Sequence, residues 1–511
     1  MPEIKILVNL TLRHGKYYTL WKKTKVLPGF KNKGSKFDAK FYRPISNLSE
    51  VSKIPEMAVH DQLYNYLSEN NLLHPDHHGF LKSKSTTTAL QQLMDIWLKA
   101  AEKGKISAAL LLDLSAGFDV INHKILLDKL QEYGLDETAV SWFADYLSNR
   151  SQCVQIESKL SSFLDVLWGV PQGSILGPLL FVIFINELPG ITKAADTDDD
   201  HIVVYADDNT PTTSDEDPIV LQAKIQVMAD KVTNWFSRND MLVSAEKTKL
   251  LFMGTQRNRL LKIESSAFVP ELNVCEKRVE VTHCEKLLGL LINDTMTWKS
   301  HLYGDDDEEP GLLRTLSKRV GMLKMLRKHI PPGKYKQIMA GLFTSKLIYG
   351  ICVWTGVWGI PGLAAEESRT SINKKDMNRL QVLQNKALRL VNYEDRSIPT
   401  VQLLNSTSSL SVHQLGAYLT LSQVFKIKES KLPEYHYERL FGNCDQMVNI
   451  RSLDFNQKNV NFDLTLSRGS FFYQGSKLWT ALPRELKMLT KSGTFKKKCK
   501  EWIRLNIGTR P

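Results

Sequence analysis

Two short apolar runs in this chain stop abruptly at carboxylates, and that pattern restricts how the chain can fold. Ile202 to Tyr205 is apolar and β-branched, which fits a buried strand, and it runs directly into Asp207 and Asp208. Ala108 to Leu112 is a second continuous apolar run, and it delivers Asp113 at its exit. Adjacent acids repel each other and resist leaving water, so the pair needs solvent or a cation beside it. Hard carboxylate oxygens suit Mg²⁺.

Around these runs, strand and helix signals alternate. Lys124 to Tyr133, Glu137 to Leu147 and Val220 to Phe236 have helical character, the last with Leu221, Ile225, Met228, Val232 and Trp235 at helical spacing. The alternation indicates an α/β domain before Asp305. After Pro310 the pattern turns helical. Leu312, Leu313, Leu316, Val320, Leu323, Leu326 and Ile330 recur at steps of three and four, opposite Arg314, Lys318, Arg319, Lys324, Arg327 and Lys328, and Pro331-Pro332-Gly333 stops the helix. A second basic amphipathic helix is expected from about Lys374 to Val391. The acidic stretch Asp196 to Asp200 reads as a loop within a domain, and Asp305 to Pro310 as a domain boundary. The expected units are 1–304, 305–395 and 396–511. The last has no assigned role, although Lys496, Lys497, Lys498, Lys500 and Arg504 cluster around Trp502.

Composition excludes several classes. With 42% apolar and 24% charged residues, the 511-residue chain is ordinary globular material and not a disordered one. Its 67 Lys and Arg against 55 Asp and Glu give +12, which suits a polyanionic partner without requiring one. Six cysteines, Cys153, Cys275, Cys284, Cys352, Cys444 and Cys499, form no C-x-x-C pair, so no structural zinc site and a reduced, intracellular chain are expected. Ile175 to Ile185 is too short to cross a bilayer. Gly341 to Ala364 carries Lys346, several glycines and a proline, so both are expected in the core and no membrane partner is expected.

The order of the motifs carries more information than any one of them. An Asp-Asp pair after a strand is commonly just a turn. Here a Gly/Pro-rich segment, Gly169-Val170-Pro171-Gln172-Gly173-Ser174-Ile175-Leu176-Gly177-Pro178, lies between the two acidic strands. Glycines let backbone approach a ligand closely. Gln172 offers both an amide donor and an acceptor. Transfer of a nucleotidyl group uses two ions about 3.5–4 Å apart, held by carboxylates from separate strands. Asp113 and Asp207 fit that demand, with Asp208 as the supporting acid.

At this point the sequence resembles the reverse transcriptases of non-LTR (LINE-type) retrotransposons, particularly the jockey-like elements. The matching segments include Trp21 to Phe30, Tyr42-Arg43-Pro44-Ile45-Ser46, His78-Gly79-Phe80, Ser85-Thr86-Thr87-Thr88-Ala89-Leu90 and the three segments above. They continue through Trp235 to Lys249, Lys286 to Leu302 and Leu478-Trp479-Thr480-Ala481-Leu482-Pro483. The resemblance implies a right-hand polymerase with fingers, an α+β palm and a helical thumb, followed by a mostly helical C-terminal region. It implies an RNA template, a DNA primer, dNTPs and two Mg²⁺ ions, with Mn²⁺ as a substitute. By matching position, Asp113, Asp207 and Asp208 are the metal site. Phe118 is the gate against a ribose 2′-OH, Gln172 lies beside the nucleotide, Arg43 and Lys53 grip the triphosphate, and Lys247 protonates the leaving pyrophosphate. A nuclear location is implied as well, without a clear targeting signal in the chain.

The sequence departs from the family's pattern at several positions. Leu81 stands where arginine is common, Ala116 and Gly117 where Lys-Ala is common, Asn209 where threonine is common, and Ser244 where asparagine is usual. The family's N-terminal endonuclease domain is expected to be absent. A second expectation therefore stands beside the polymerase: a truncated, catalytically decayed copy that binds nucleic acid without copying it.

Overall fold

A computed structural model describes residues 2–32, 34–114, 117–192, 199–264, 268–305, 309–357, 359–362, 372–392, 397–442 and 467–509. Ala116 and most of the Asp196 to Asp200 stretch lie outside the described residues. In chain order the first strands are β1 (Lys23–Phe30), β2 (Tyr42–Asn47), β3 (Ile106–Leu111), β4 (Arg150–Ile156), β5 (Lys159–Leu160) and β6 (Leu164–Val166). They are followed by β7 (His201–Tyr205), β8 (Asp208–Asp215), β9 (Lys249–Met253), β10 (Asn273–Val274), β11 (Lys277–Arg278), β12 (Glu280–Val281), β13 (Cys284–Leu287) and β14 (Leu290–Asn293).

A central sheet has the order β12-β9-β3-β8-β7. Strand β3 sits between antiparallel β8 and β9. Successive side chains of a strand point to opposite faces. Ile106, Ala108 and Leu110 therefore join Ile202, Val204, Leu250 and Phe252 in one core, while Ala109, Val203, Leu251 and Met253 enter another. Helices Leu176–Ile185 and Pro218–Arg238 close the first core, and Thr86–Glu102 lies over the second. Coverage on both faces explains why these strands read as unbroken apolar runs. A second sheet, β2-β1-β4-β5 with β6 added to β4, lies beside the first in sequence and pairs β1 parallel to β4.

The expected helices form with small shifts: His123–Glu132, Glu137–Leu147, Pro218–Arg238 and Lys374–Asn392. The expected helix through Ile330 stops at Leu326, because Pro331 disfavours helical backbone at the residue before it and a turn closes from His329 to Leu326. Gly304–Asp305 pairs with Glu309–Pro310 across the acidic stretch. Helix Leu176–Ile185 is almost wholly buried. Residues 333–354 are long and apolar enough to cross a membrane by length and composition. The run is broken at Tyr349 and left-handed Gly350, and Phe343, Leu347, Ile351 and Trp354 pack into the second core.

That second core is shared. Leu312, Leu316 and Leu323 enter it, as do Val412, Leu421, Phe425, Trp479 and Phe495 from the C-terminal helices. Helix Thr86–Glu102 lies between them and the sheet, which is why nearly all its length is buried. Its fully buried Asp95 accepts hydrogen bonds from Lys99 at 2.9 Å, from Arg439 Nε at 2.9 Å and from the Tyr435 hydroxyl at 2.7 Å. Gln91 and Gln423 add a reciprocal amide pair at 3.2 and 2.7 Å.

Two expectations follow from this packing. Asp95→Ala removes the fully buried carboxylate that Lys99, Arg439 and Tyr435 share, and breaking such a pair costs roughly 3–5 kcal/mol. Urea unfolding at constant slope is expected to show that loss, and a change below about 1 kcal/mol would show that the network contributes little. The second concerns acid. Burial, with the nearby Lys84 charge, holds the imidazoles of His77, His78 and His436 down at about 3. The unfolded chain takes up protons near pH 6.5 and the folded chain does not, so stability is full above that pH and is lost as pH falls toward 3. The thermal midpoint is expected to be lower at about pH 4.5 than at about pH 7.5, and a flat profile between them would contradict the assignment.

Candidate active site

Strands β7 and β8 form a two-residue hairpin in which Tyr205 pairs with Asp208 and the turn is Ala206-Asp207. Ala206 has φ 55°, a left-handed conformation that costs an alanine about 1–2 kcal/mol. The turn is held from outside. His78 N–H donates to Val204 O at 2.7 Å, and Val204 N–H donates to Asp76 O at 3.0 Å, so the segment before Gly79 acts as a short parallel partner of β7. A Cβ on Gly79 would fall 2.5 Å from Ala206 N, so only glycine lets the two backbones meet this closely.

Asp113 reaches the same end of the sheet through β3. Leu112 N–H donates to Asn209 O at 3.0 Å, and extending that register by one residue sets Asp113 opposite Asp208. Leu114 bridges Val243, and Ser244 N–H donates to Asp113 O at 2.9 Å. The Ser244 carbonyl then accepts from Lys247 N–H at 3.1 Å and Thr248 N–H at 3.0 Å. That turn brings the Lys247 ammonium to 3.3 Å from Asp113 Oδ2.

The three acids feel one another. Desolvation by the surrounding chain raises Asp208 to about 6, helped by the negative charges of Asp207 and Asp113. Asp207 is also raised, by desolvation first and then by Asp113, while Arg43 pulls it back down. Both side chains still reach solvent, which screens these shifts. No three carboxylate, thiol or imidazole groups among the described residues close into a ready-made metal cage. The donor set nevertheless fits a divalent cation. Its oxygens are hard, its charges repel, and a lysine ammonium already stands against Asp113. An open set suits Mg²⁺, which keeps waters and takes substrate phosphate oxygens as further ligands.

The other anticipated residues fall in different places. Arg43 lies on β2 close enough to influence Asp207. Lys53 opens helix Lys53–Glu69, where its ammonium is bound to Glu50 at 3.0 Å. The Phe118 ring is stacked on Phe181 with centroids 4.4 Å apart and meets Phe80 edge-on at 5.9 Å. Gln172 is half-buried, and its Nε2 donates to both Asp119 oxygens, at 2.9 and 3.0 Å. Burial raises the Asp119 carboxyl, and the Gln172 hydrogen bond opposes that rise.

His78, Phe80 and Asp119 lie within the noted motif segments but carry no assigned role there, and Asp76 stands outside them; nothing in their spacing shows which loop they touch. The departures from the family pattern also acquire positions. Leu81 is 7% exposed and packs into the first core. Asn209 is buried, with its amide donating to Asp207 O at 2.9 Å. Ser244 supports the site through backbone atoms alone.

A mixed α/β fold with three carboxylates at one end of its central sheet has the build of a right-hand polymerase palm. A family model described as reverse transcriptase (RNA-dependent DNA polymerase) matches residues 30–290, just over half of the chain, and the chain belongs to that family. It is 23% identical over 390 residues to the RNA-directed DNA polymerase from mobile element jockey of Drosophila melanogaster, covering 76% of this chain and 39% of that protein. It is 26% identical over 402 residues to the probable RNA-directed DNA polymerase from transposon BS of the same organism, covering 76% and 40%. The chain thus spans about two fifths of the length of the curated relatives it matches. Among solved structures, telomerase from Candida tropicalis aligns at 12% identity with a TM-score of 0.41, over 96% of this chain and 65% of that one. That likeness is too loose to carry weight.

Gly79→Ala is expected to push the Ala206 turn out of place. Overpacking of this kind costs about 1–3 kcal/mol, and both the thermal midpoint and its increase on adding Mg²⁺ should shrink. A variant with the parent's Mg²⁺ response would show that the contact does not hold the acids.

Proposed function

We propose that this chain is an RNA-directed DNA polymerase of the non-LTR retrotransposon type, extending a DNA primer on an RNA template with dNTPs. The convergence of Asp113, Asp207 and Asp208 at one sheet end, inside a reverse transcriptase family match, carries the proposal. The printed descriptions of the jockey and BS relatives support it. Asp113 and Asp207 would hold two Mg²⁺ ions, or Mn²⁺ in their place, with Asp208 adjacent. When bound, such ions stabilise charge on the attacking and leaving oxygens of phosphoryl transfer.

The chain's own side chains supply the remainder. Their mutual repulsion keeps the three acids ready to accept a cation in place of protons. Lys247, held beside Asp113, can move its ammonium to the triphosphate once a metal replaces it, and there donate a proton to the departing pyrophosphate. Arg43 adds positive charge from β2. Lys53 reaches a triphosphate only by releasing Glu50. The Phe118 ring is braced by Phe181 and Phe80, so a clash with a ribose 2′-OH cannot be relieved cheaply by rotation. Leu81 and Asn209 are buried, and neither substitution removes a carboxylate of the cation site.

Primer extension by the purified chain on RNA and DNA templates tests the proposal, with Mg²⁺ or Mn²⁺ and an Asp207→Ala control. Activity in the parent is expected to fall below detection in the variant. Equal extension by both would sink the site assignment. Salt-sensitive duplex binding without any dNTP incorporation would identify a decayed binder instead.

A further inference from the structure

We propose that Asp119 is a positioning residue that turns the amide oxygen of Gln172 toward the incoming nucleotide, making Gln172 an acceptor for a hydroxyl or amino donor on it. This rests on the polymerase function above. An ionised carboxylate only accepts hydrogen bonds, so it can bind only the nitrogen end of a neighbouring amide. Gln172 Nε2 is bound to both Asp119 oxygens, at 2.9 and 3.0 Å, which leaves Oε1 at the opposite end of the amide. Without that partner, the broad terminal torsion of a glutamine would let either end face the cleft.

The backbone on each side of this pair is fixed. Gly169 N–H donates to Ile121 O at 2.8 Å, and Val170 N–H donates to Phe118 O at 2.9 Å. His123 Nε2 lies 2.7 Å from Gly169 O, a contact it can make only as donor. A Cβ on Gly169 (φ 80°) would sit 2.7 Å from Asp119 O. From the other side, Ser46 N–H donates to Gln172 O at 2.9 Å, and a Cβ on Gly173 would meet Ser46 O at 2.7 Å. The loop is thus sandwiched between residues 118–123 and the end of β2. Asp119 and Gln172 share the wall of one cleft with Ser46, Gln152 and Trp168. The same short segment supplies Phe118, so the gate ring and the amide that faces the nucleotide are set by neighbouring residues.

Equilibrium dNTP binding to the primer–template complex decides the proposal, measured with Ca²⁺ in place of Mg²⁺ so that no chemistry follows. The parent is compared with Asp119→Ala, Gln172→Ala and the double variant. Each single change is expected to weaken binding about tenfold, the worth of one good hydrogen bond, and the double variant no further than Gln172→Ala alone. Asp119→Asn, whose amide oxygen can still accept from Gln172, should recover most of the affinity. Losses that multiply in the double variant, or parent-like binding by Asp119→Ala, overturn the positioning role. A chain that binds dNTP yet extends no primer removes the polymerase function while this cycle still decides Asp119. A chain that binds no dNTP removes both.

Discussion

Three carboxylates are held together against their own repulsion, and the rest of the molecule is arranged around that constraint. Acids in a flexible loop would drift apart and protonate less readily. Here Asp113 is fixed by the ladder bond from Leu112 to Asn209, and Asp207 and Asp208 by the hairpin that β7 and β8 make. Backbone hydrogen bonds set this spacing, so it does not depend on the charge state of the acids. The raised carboxyls of Asp207 and Asp208 mark the electrostatic cost that a cation would relieve.

A hairpin carrying like charges needs a rigid base, and two cores supply it. The first lies under helices Leu176–Ile185 and Pro218–Arg238. The second is completed by residues more than 140 positions downstream of the sheet's last strand, among them Phe425, Trp479 and Phe495. The C-terminal helices reach the support of the site: the ring of His436, in helix Glu434–Phe441, meets that of His78 at 6.2 Å. They press on Thr86–Glu102, and Asp95 binds that helix to Arg439 and Tyr435. Segment Asp76 to Gly79 then passes the restraint to the Ala206 turn through backbone contact. Buried neutral histidines in this layer make its integrity sensitive to acid.

The departures from the family pattern look different once they are placed. Leu81 replaces a common arginine but turns into the core, where a leucine packs without needing a counter-ion. Asn209 replaces a common threonine and uses its amide to cap the Asp207 carbonyl. Ser244 acts through its backbone. Leu81 removes a positive charge that is common at its position, whereas Asn209 and Ser244 leave the number of charges unchanged.

By itself, the sequence determined the two apolar strands that lead to the acids, several of the helices around them and the candidate acids. Short apolar runs that end in aspartates fit buried strands with exposed ends, and helical spacing from Leu221 to Trp235 gives one amphipathic face. The order of the motifs identified the family. What the tertiary structure alone decided was which groups meet. Nothing in the spacing of Asp119 and Gln172, 53 residues apart, shows a hydrogen bond between them. Nothing around Gly79 shows that it must yield to Ala206, or that Asp95 would find Arg439 across 344 residues. Periodicity reports which face of an element is buried, because burial is a property of each residue and its near neighbours. Pairing across the fold depends on how whole elements pack, and no local pattern records it.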